Sequence, residues 1–138
     1  MNKIWTIIDI LRWGTEFFES HQIDNARLNI ELMLCRVLQL SRIELYSNYD
    51  KPLNSKELAT LRDYVKRRSK REPLQYILGQ QQFIDINIGL SDGVLIPRPE
   101  TEILAAEALR QIRENEYTEM LDIGTGSGCL AIYIAKNC

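Results

Sequence analysis

The chain has 138 residues, 45% of them hydrophobic and 26% charged, and its 17 Lys+Arg against 19 Asp+Glu leave a net charge of −2. This composition excludes a disordered or collagen-like chain, and no apolar run approaches the ~18 residues a membrane-spanning helix needs. The near-neutral balance argues against a wholesale nucleic-acid coat while leaving room for a local basic patch. The length suits one domain, or one small domain and part of another. The opening MNKIWTIIDIL has Asp9 inside its apolar run and no small-residue cleavage site, so it does not read as a signal peptide. Cys35, Cys129 and Cys138, with no C-x-x-C and with His21 as the single histidine, suggest neither a disulfide framework nor a zinc site. A reduced, cytoplasmic protein is expected.

From the start to Gly79 the pattern is helical. Ile4, Ile7, Ile8 and Leu11 recur at helical spacing, extended by Phe17 and Phe18. Thr6 with Asp9 resembles a capping box. A second helix opens at Asp24 or Asn25 as N-cap and carries a wide apolar stripe through Leu28, Leu32, Cys35 and Leu38, which implies burial among other helices. Ser41 with Glu44 and Asn54 with Glu57 are further capping boxes. The second of these opens a helix with Leu58, Leu61, Tyr64 and Val65 on one face, which Pro73 ends. Leu74 to Leu78 forms one more turn, with Gly79 as its stop.

The period then changes to two. Phe83, Asp85 and Asn87 alternate with Ile84, Ile86 and Ile88, followed by GLSDG and the apolar run Val94 to Ile96. A β-hairpin across residues 82–96 is expected. Pro99 suits a first helical turn, with Glu100 and Glu102 at the positive dipole end. Ile103, Leu104, Ala108, Leu109 and Ile112 supply its buried stripe. Met120 to Ile123 reads as a short buried strand leading into Gly124-Thr125-Gly126-Ser127-Gly128 and a helix from Leu130.

Three of the seven glycines fall in that loop. Glycine there permits positive φ and close backbone approach, and the helix behind presents free N–H groups. The spacing is not that of a P-loop, since no Lys follows until Lys136, nor of the dinucleotide fingerprint, since Cys129 stands where Gly or Ala is needed. Asp122 either receives a ligand ammonium or caps local backbone N–H groups. Cys129, with no base nearby in sequence, reads as a packing residue rather than a nucleophile.

In the segment Pro97-Arg98-Pro99-Glu100-Thr101-Glu102, two prolines restrict the directions of Arg98, which is a ligand contact or a local ion-pair partner. The run from Arg62 to Glu72 holds six basic and two acidic side chains. It is the solvated face of a helix, or a contact to an acidic partner or RNA. Trp5 and Trp13 read as packing residues and His21 as a polar surface residue.

LDIGTGSG resembles the first motif of class I S-adenosylmethionine-dependent methyltransferases. LIPRPETE, LDIGTGSGCLA, REPLQYILG and ARLNIELML together resemble the HemK/PrmC family over essentially the whole chain. The resemblance implies an α-helical N-terminal domain over 1–79, a β-hairpin linker over 80–97, and over 98–138 the first β-α unit of a Rossmann-like methyltransferase domain. It implies S-adenosylmethionine as cofactor, Asp122 and Gly124, Thr125, Gly126, Ser127 and Gly128 as its loop, and Pro97, Arg98, Pro99, Glu100 and Thr101 at the pocket edge. The implied reaction methylates the side-chain amide nitrogen of the glutamine in the Gly-Gly-Gln motif of peptide chain release factors, which would be the partner; neither a membrane nor a nucleic acid is expected. The family's Asn-Pro-Pro-Tyr tetrapeptide is absent. The chain is therefore expected to be the N-terminal portion of a longer enzyme, inactive alone, with residues beyond about 115 not normally packed. Two rival readings are a helical protein-binding module and an RNA or DNA amino-methyltransferase.

Overall fold

The computed structural model describes residues 4–138, which form two compact units, Met1–Leu78 and Gly79–Cys138. Residues 1–3 of the expected helical domain lie outside the described residues.

The first unit contains α1 (Ile7–Ser20), α2 (Ala26–Leu38), α3 (Arg42–Ser47), α4 (Ser55–Ser69) and α5 (Leu74–Leu78). All three capping boxes form. Thr6 accepts from the Asp9 amide and the Asp9 carboxylate accepts back at 3.1 Å; Ser41 with Glu44 and Asn54 with Glu57 repeat the arrangement. The first amides of α1 do not go unpaired either: Ile7 and Ile8 donate to the carbonyls of Lys51 and Tyr49 at 3.1 and 2.9 Å.

Two local expectations fail in this unit. Asn25 precedes α2 but sits at φ 54 and makes no capping bond with its side chain. An N-cap works from extended backbone. Here Asn29, one turn inside, donates back to the carbonyls of Asp24 and Asn25 at 3.0 Å each. Likewise α4 stops at Ser69, ahead of Pro73, with Arg71 at φ 70. The Arg71 guanidinium holds that turn by donating to the carbonyls of Gln22 and His21 at 2.7 and 3.0 Å.

Ile7, Leu11, Phe18, Ile30, Met33, Leu34 and Leu45 are fully buried and, with Leu61, Val65 and Ile77, make a single core. The buried face of α2 runs through Ala26, Ile30, Met33 and Leu34, while Leu28 is 39% exposed and Leu32, Cys35 and Leu38 are only half-buried, so the face turned to the core is not the expected stripe.

The second unit contains β1 (Gln80–Phe83), β2 (Ile86–Gly89), α6 (Pro99–Glu114) and α7 (Cys129–Asn137). The strands are antiparallel, with Phe83 opposite Ile86 and Gln80 opposite Gly89. The hairpin thus turns at Ile84-Asp85, not at residues 89–93, and Val94 to Ile96 is not a strand. The alternating sequence mimics one continuous strand, but a two-residue turn brings Phe83 and Ile86 to the same face, and both are buried. Ile84 takes φ 52, unusual for a β-branched residue. Its amide donates to the Glu102 carboxylate at 3.2 Å. Lys136 of α7 clasps Asp85 at 2.9 Å.

The stripe of α6 is narrower than expected. Ala105 and Leu109 are buried, whereas Ile103 is 73% and Leu104 56% exposed. The main packing partner of α6 is α7, met through a single face, while Glu102 at its start accepts from the hairpin turn. Met120 to Ile123 forms no strand, and Leu121 and Ile123 are exposed. A strand needs a neighbour for its N–H and C=O groups, and among the described residues β1 and β2 pair only with each other. The expectation for residues beyond about 115 therefore divides: the apolar segment around Leu121 is exposed, whereas α7 forms and buries Cys129, Tyr133 and Ile134. The Tyr133 ring meets Phe83 edge-on at 6.2 Å.

Candidate cofactor-binding site

Asp122 is half-buried, and its Oδ2 atom is buried without a hydrogen-bond partner. A buried carboxylate oxygen left unpaired is costly, so such an atom in a loop marks a place for a donor. The next residues turn sharply. Gly124, Gly126 and Gly128 have φ of 79, 56 and 76, and the Gly128 amide donates to the Thr125 carbonyl at 2.8 Å. A Cβ on Gly124 would meet nothing within 4 Å, so glycine is needed there for backbone conformation and not for space. Gly128 is the N-cap of α7, and no side chain caps that end. The loop therefore offers a carboxylate oxygen and a helix N-terminus, with open space beside Gly124 and the Ile132 side chain close to Gly128. These residues fit a ligand carrying an ammonium and hydroxyls, as S-adenosylmethionine does.

The second segment lies at the start of α6. Arg98 is the exposed N-cap residue, Pro99 is the first helical residue, and the Thr101 amide donates to the Arg98 carbonyl at 3.0 Å. Pro97 and Thr101 are half-buried and Glu100 is exposed. Glu102 is occupied by the hairpin turn. Arg113 near the end of α6 donates to the Asn137 carbonyl at the end of α7, which ties the C-terminal ends of the two helices together. Residues 97–101 and 122–128 thus precede the two opposite, N-terminal ends. No described hydrogen bond joins the two segments. Cys129 is buried at the start of α7, in keeping with a packing role.

The basic run divides. Arg67 donates to Glu72 at 2.9 Å, Arg68 to the Asn29 side chain at 2.7 Å and the Glu72 carbonyl at 2.9 Å, and Arg71 to the carbonyls of residues 21 and 22. Half of the six cations hold the helical unit together, while Arg62, Lys66 and Lys70 are exposed.

One residue escaped sequence reasoning. Glu31 is 2% exposed and accepts from Arg27 Nε at 3.0 Å, Arg42 Nη2 at 2.7 Å and the Tyr46 hydroxyl. Burial by itself raises its carboxyl, but the bonds from Tyr46, Arg42 and Arg27 outweigh that and hold it below the usual carboxylate value. A lone acid inside the leucine-rich α2 was the available signal.

The chain is thus a helical unit followed by a unit with a β-hairpin and a glycine-rich loop at a helix start. A family model described as the PrmC N-terminal domain matches residues 9–79. The chain is 48% identical over 134 residues to a release factor glutamine methyltransferase of Geobacter sulfurreducens, covering 97% of this chain and 46% of that protein. It is 38% identical over 137 residues to one from Rhodopirellula baltica, with 96% and 46% covered, and 47% identical over 109 residues to one from Coxiella burnetii, with 79% and 39% covered. The chain belongs to the HemK/PrmC family. It spans about half the length of the curated relatives it matches, or less. No helix among the described residues is long and apolar enough to cross a membrane.

Proposed function

We propose that this chain serves the transfer of a methyl group from S-adenosylmethionine to the side-chain amide nitrogen of a glutamine in the Gly-Gly-Gln motif of a peptide chain release factor. The observation that carries the reading is the unpartnered Asp122 Oδ2 at the head of a loop whose three glycines are all left-handed, in a chain with release factor glutamine methyltransferases as relatives. When bound, the cofactor supplies an electrophilic methyl group. Asp122 receives its ammonium, directly or through water, and Gly124 to Gly128 let the backbone pass beneath its methionine and ribose portions. Pro97 to Thr101 border the pocket. Arg98, between two prolines, is pre-set in direction and adds a cation at the rim. The loop would hold the cofactor in one pose, so that a glutamine bound beside it would meet the methyl group in a fixed alignment. The division of labour is a recognition domain over 1–79, a hairpin linker over 80–97 and the start of the methyltransferase domain over 98–138.

The test is a chimera in which these 138 residues replace the matching segment of the Geobacter sulfurreducens relative. Transfer of labelled methyl to purified release factor is expected, with Asp122→Asn weakening cofactor binding in equilibrium dialysis. A cooperatively folded chimera that binds no S-adenosylmethionine would refute the reading.

A further inference from the structure

The helical unit carries an apolar cavity of ≈ 200 Å³ walled by Trp5, Ile10, Trp13, Leu58, Leu61 and Arg62. It is a built feature. The Leu53 amide donates to the Trp5 carbonyl at 2.9 Å and fixes that residue. The Trp5 ring meets Trp13 edge-on at 6.1 Å, and Trp13 stacks on Phe17 at 5.4 Å. Trp13 nevertheless remains 38% exposed. An apolar cavity of about 150 Å³ is enough to hold benzene, so this one has room for a phenyl or branched aliphatic side chain.

Arg62 forms part of the wall, and Lys66 and Lys70 follow it at four-residue intervals. Arg62 and Lys66 share one stripe of α4 and Lys70 is its C-cap residue, so the row extends about 12 Å from the cavity at ~1.5 Å per residue. All three are exposed, and no ion pair involving them is present among the described residues, in contrast to Arg67. Asp63 is the one carboxylate between residues 62 and 71. Residues 1–78 hold 13 Lys+Arg against 10 Asp+Glu, while residues 79–138 hold 4 against 9, so the cationic surplus belongs to the helical unit.

We propose that this face docks an acidic protein segment, which seats one aromatic or branched aliphatic side chain in the Trp5–Trp13 cavity and lays carboxylates along Arg62, Lys66 and Lys70. Charge complementarity selects the occupant. An apolar segment alone would ignore the cationic stripe. A nucleic acid would use the stripe but find a cavity walled mainly by apolar side chains, with Arg62 as its one charged group, and Phe17 already takes up a face of Trp13. The proposal rests on the reading that the helical unit recognises a protein, and it is independent of the cofactor loop.

Trp5 and Trp13 are the two tryptophans of the chain, so intrinsic fluorescence reports on this cavity. The probe is a synthetic peptide with one Phe flanked by Glu residues, titrated into the whole chain. Saturable binding is expected, weakening with added salt. It should fall at least about tenfold when Phe becomes Ser, or when the protein carries Lys66→Glu with Lys70→Glu; the reversed protein should then prefer a peptide with Lys in place of Glu. A Lys66→Ala, Lys70→Ala variant with unchanged circular dichroism guards against misfolding and should also bind more weakly. Equal affinity for all these proteins, no fluorescence response, or tighter binding of an RNA oligonucleotide than of the peptide would overturn the proposal. Because no methyl transfer is read, failure here leaves the chimera result standing, and failure of the chimera leaves this one standing.

Discussion

Gly14 lies buried in α1 against α2, and a Cβ there would come within 2.5 Å of Ile30 Cγ1 and 2.7 Å of Ile30 Cδ1. Ile30 is itself fully buried, so it cannot swing out into solvent. Helix propensity alone makes Gly14→Ala favourable by about 0.5–1 kcal/mol. Overpacking a tight contact costs about 1–3 kcal/mol, so steric conflict wins and the variant should lose about 1–2 kcal/mol. For a unit of this size that corresponds to a fall of about 5–15 °C in melting temperature. Urea unfolding followed by tryptophan fluorescence isolates the helical unit, since both tryptophans are in it. Combining the change with Ile30→Ala removes the obstacle. In that background Gly14→Ala should stabilise by the propensity term, giving a coupling of about 1–3 kcal/mol. A higher urea midpoint for Gly14→Ala in the native background, or additive effects of the two changes, would refute the packing argument.

Glu31 links stability to pH. Its folded carboxyl titrates below the usual 4.5, so its contribution is full above that value and is lost as pH falls through the lower folded value. Glu31→Gln should therefore lose most stability at neutral pH and less in acid, which flattens the acid limb of a stability-versus-pH curve for the helical unit; an unchanged acid limb would count against the network. Arg68 is half-buried and bonded to Asn29 and the Glu72 carbonyl, so Arg68→Ala should cost about 1–3 kcal/mol in urea unfolding, while Lys66→Ala on the same helix should leave the midpoint in place. Gly128 begins α7 at φ 76, and a Cβ there would also press on Ile132 Cδ1 at 3.3 Å. Gly128→Val should cost at least about 1–2 kcal/mol locally and weaken S-adenosylmethionine binding in dialysis of the chimera; full binding would remove this glycine from the site.

Much of the helical unit was legible because its signals are local. A capping box is completed within four residues, so Thr6 with Asp9, Ser41 with Glu44 and Asn54 with Glu57 could be read in one dimension and form as expected. The positions of Pro99 at a helix start and of Gly79 after α5 are local in the same sense. The glycine loop was legible too, since positive φ at three spaced positions leaves few residue choices.

What failed depended on partners distant in sequence. Alternation of Phe83 to Ile88 is the same whether the chain runs straight or turns at Ile84-Asp85; the bond from the Ile84 amide to Glu102, eighteen residues on, accompanies the turn. Met120 to Ile123 has strand composition, but a strand exists only when another backbone completes its hydrogen bonds. The basic run reads as one patch in sequence, yet Arg67, Arg68 and Arg71 are engaged by Glu72, Asn29 and the carbonyls after α1, which leaves Arg62, Lys66 and Lys70 for other contacts. The sequence by itself therefore determined the family, the three capping-box helix starts, the Pro99 start and the loop. The tertiary structure decided which charges are structural, where the hairpin turns and which tryptophans share a cavity, because those depend on groups that meet only after the chain has folded.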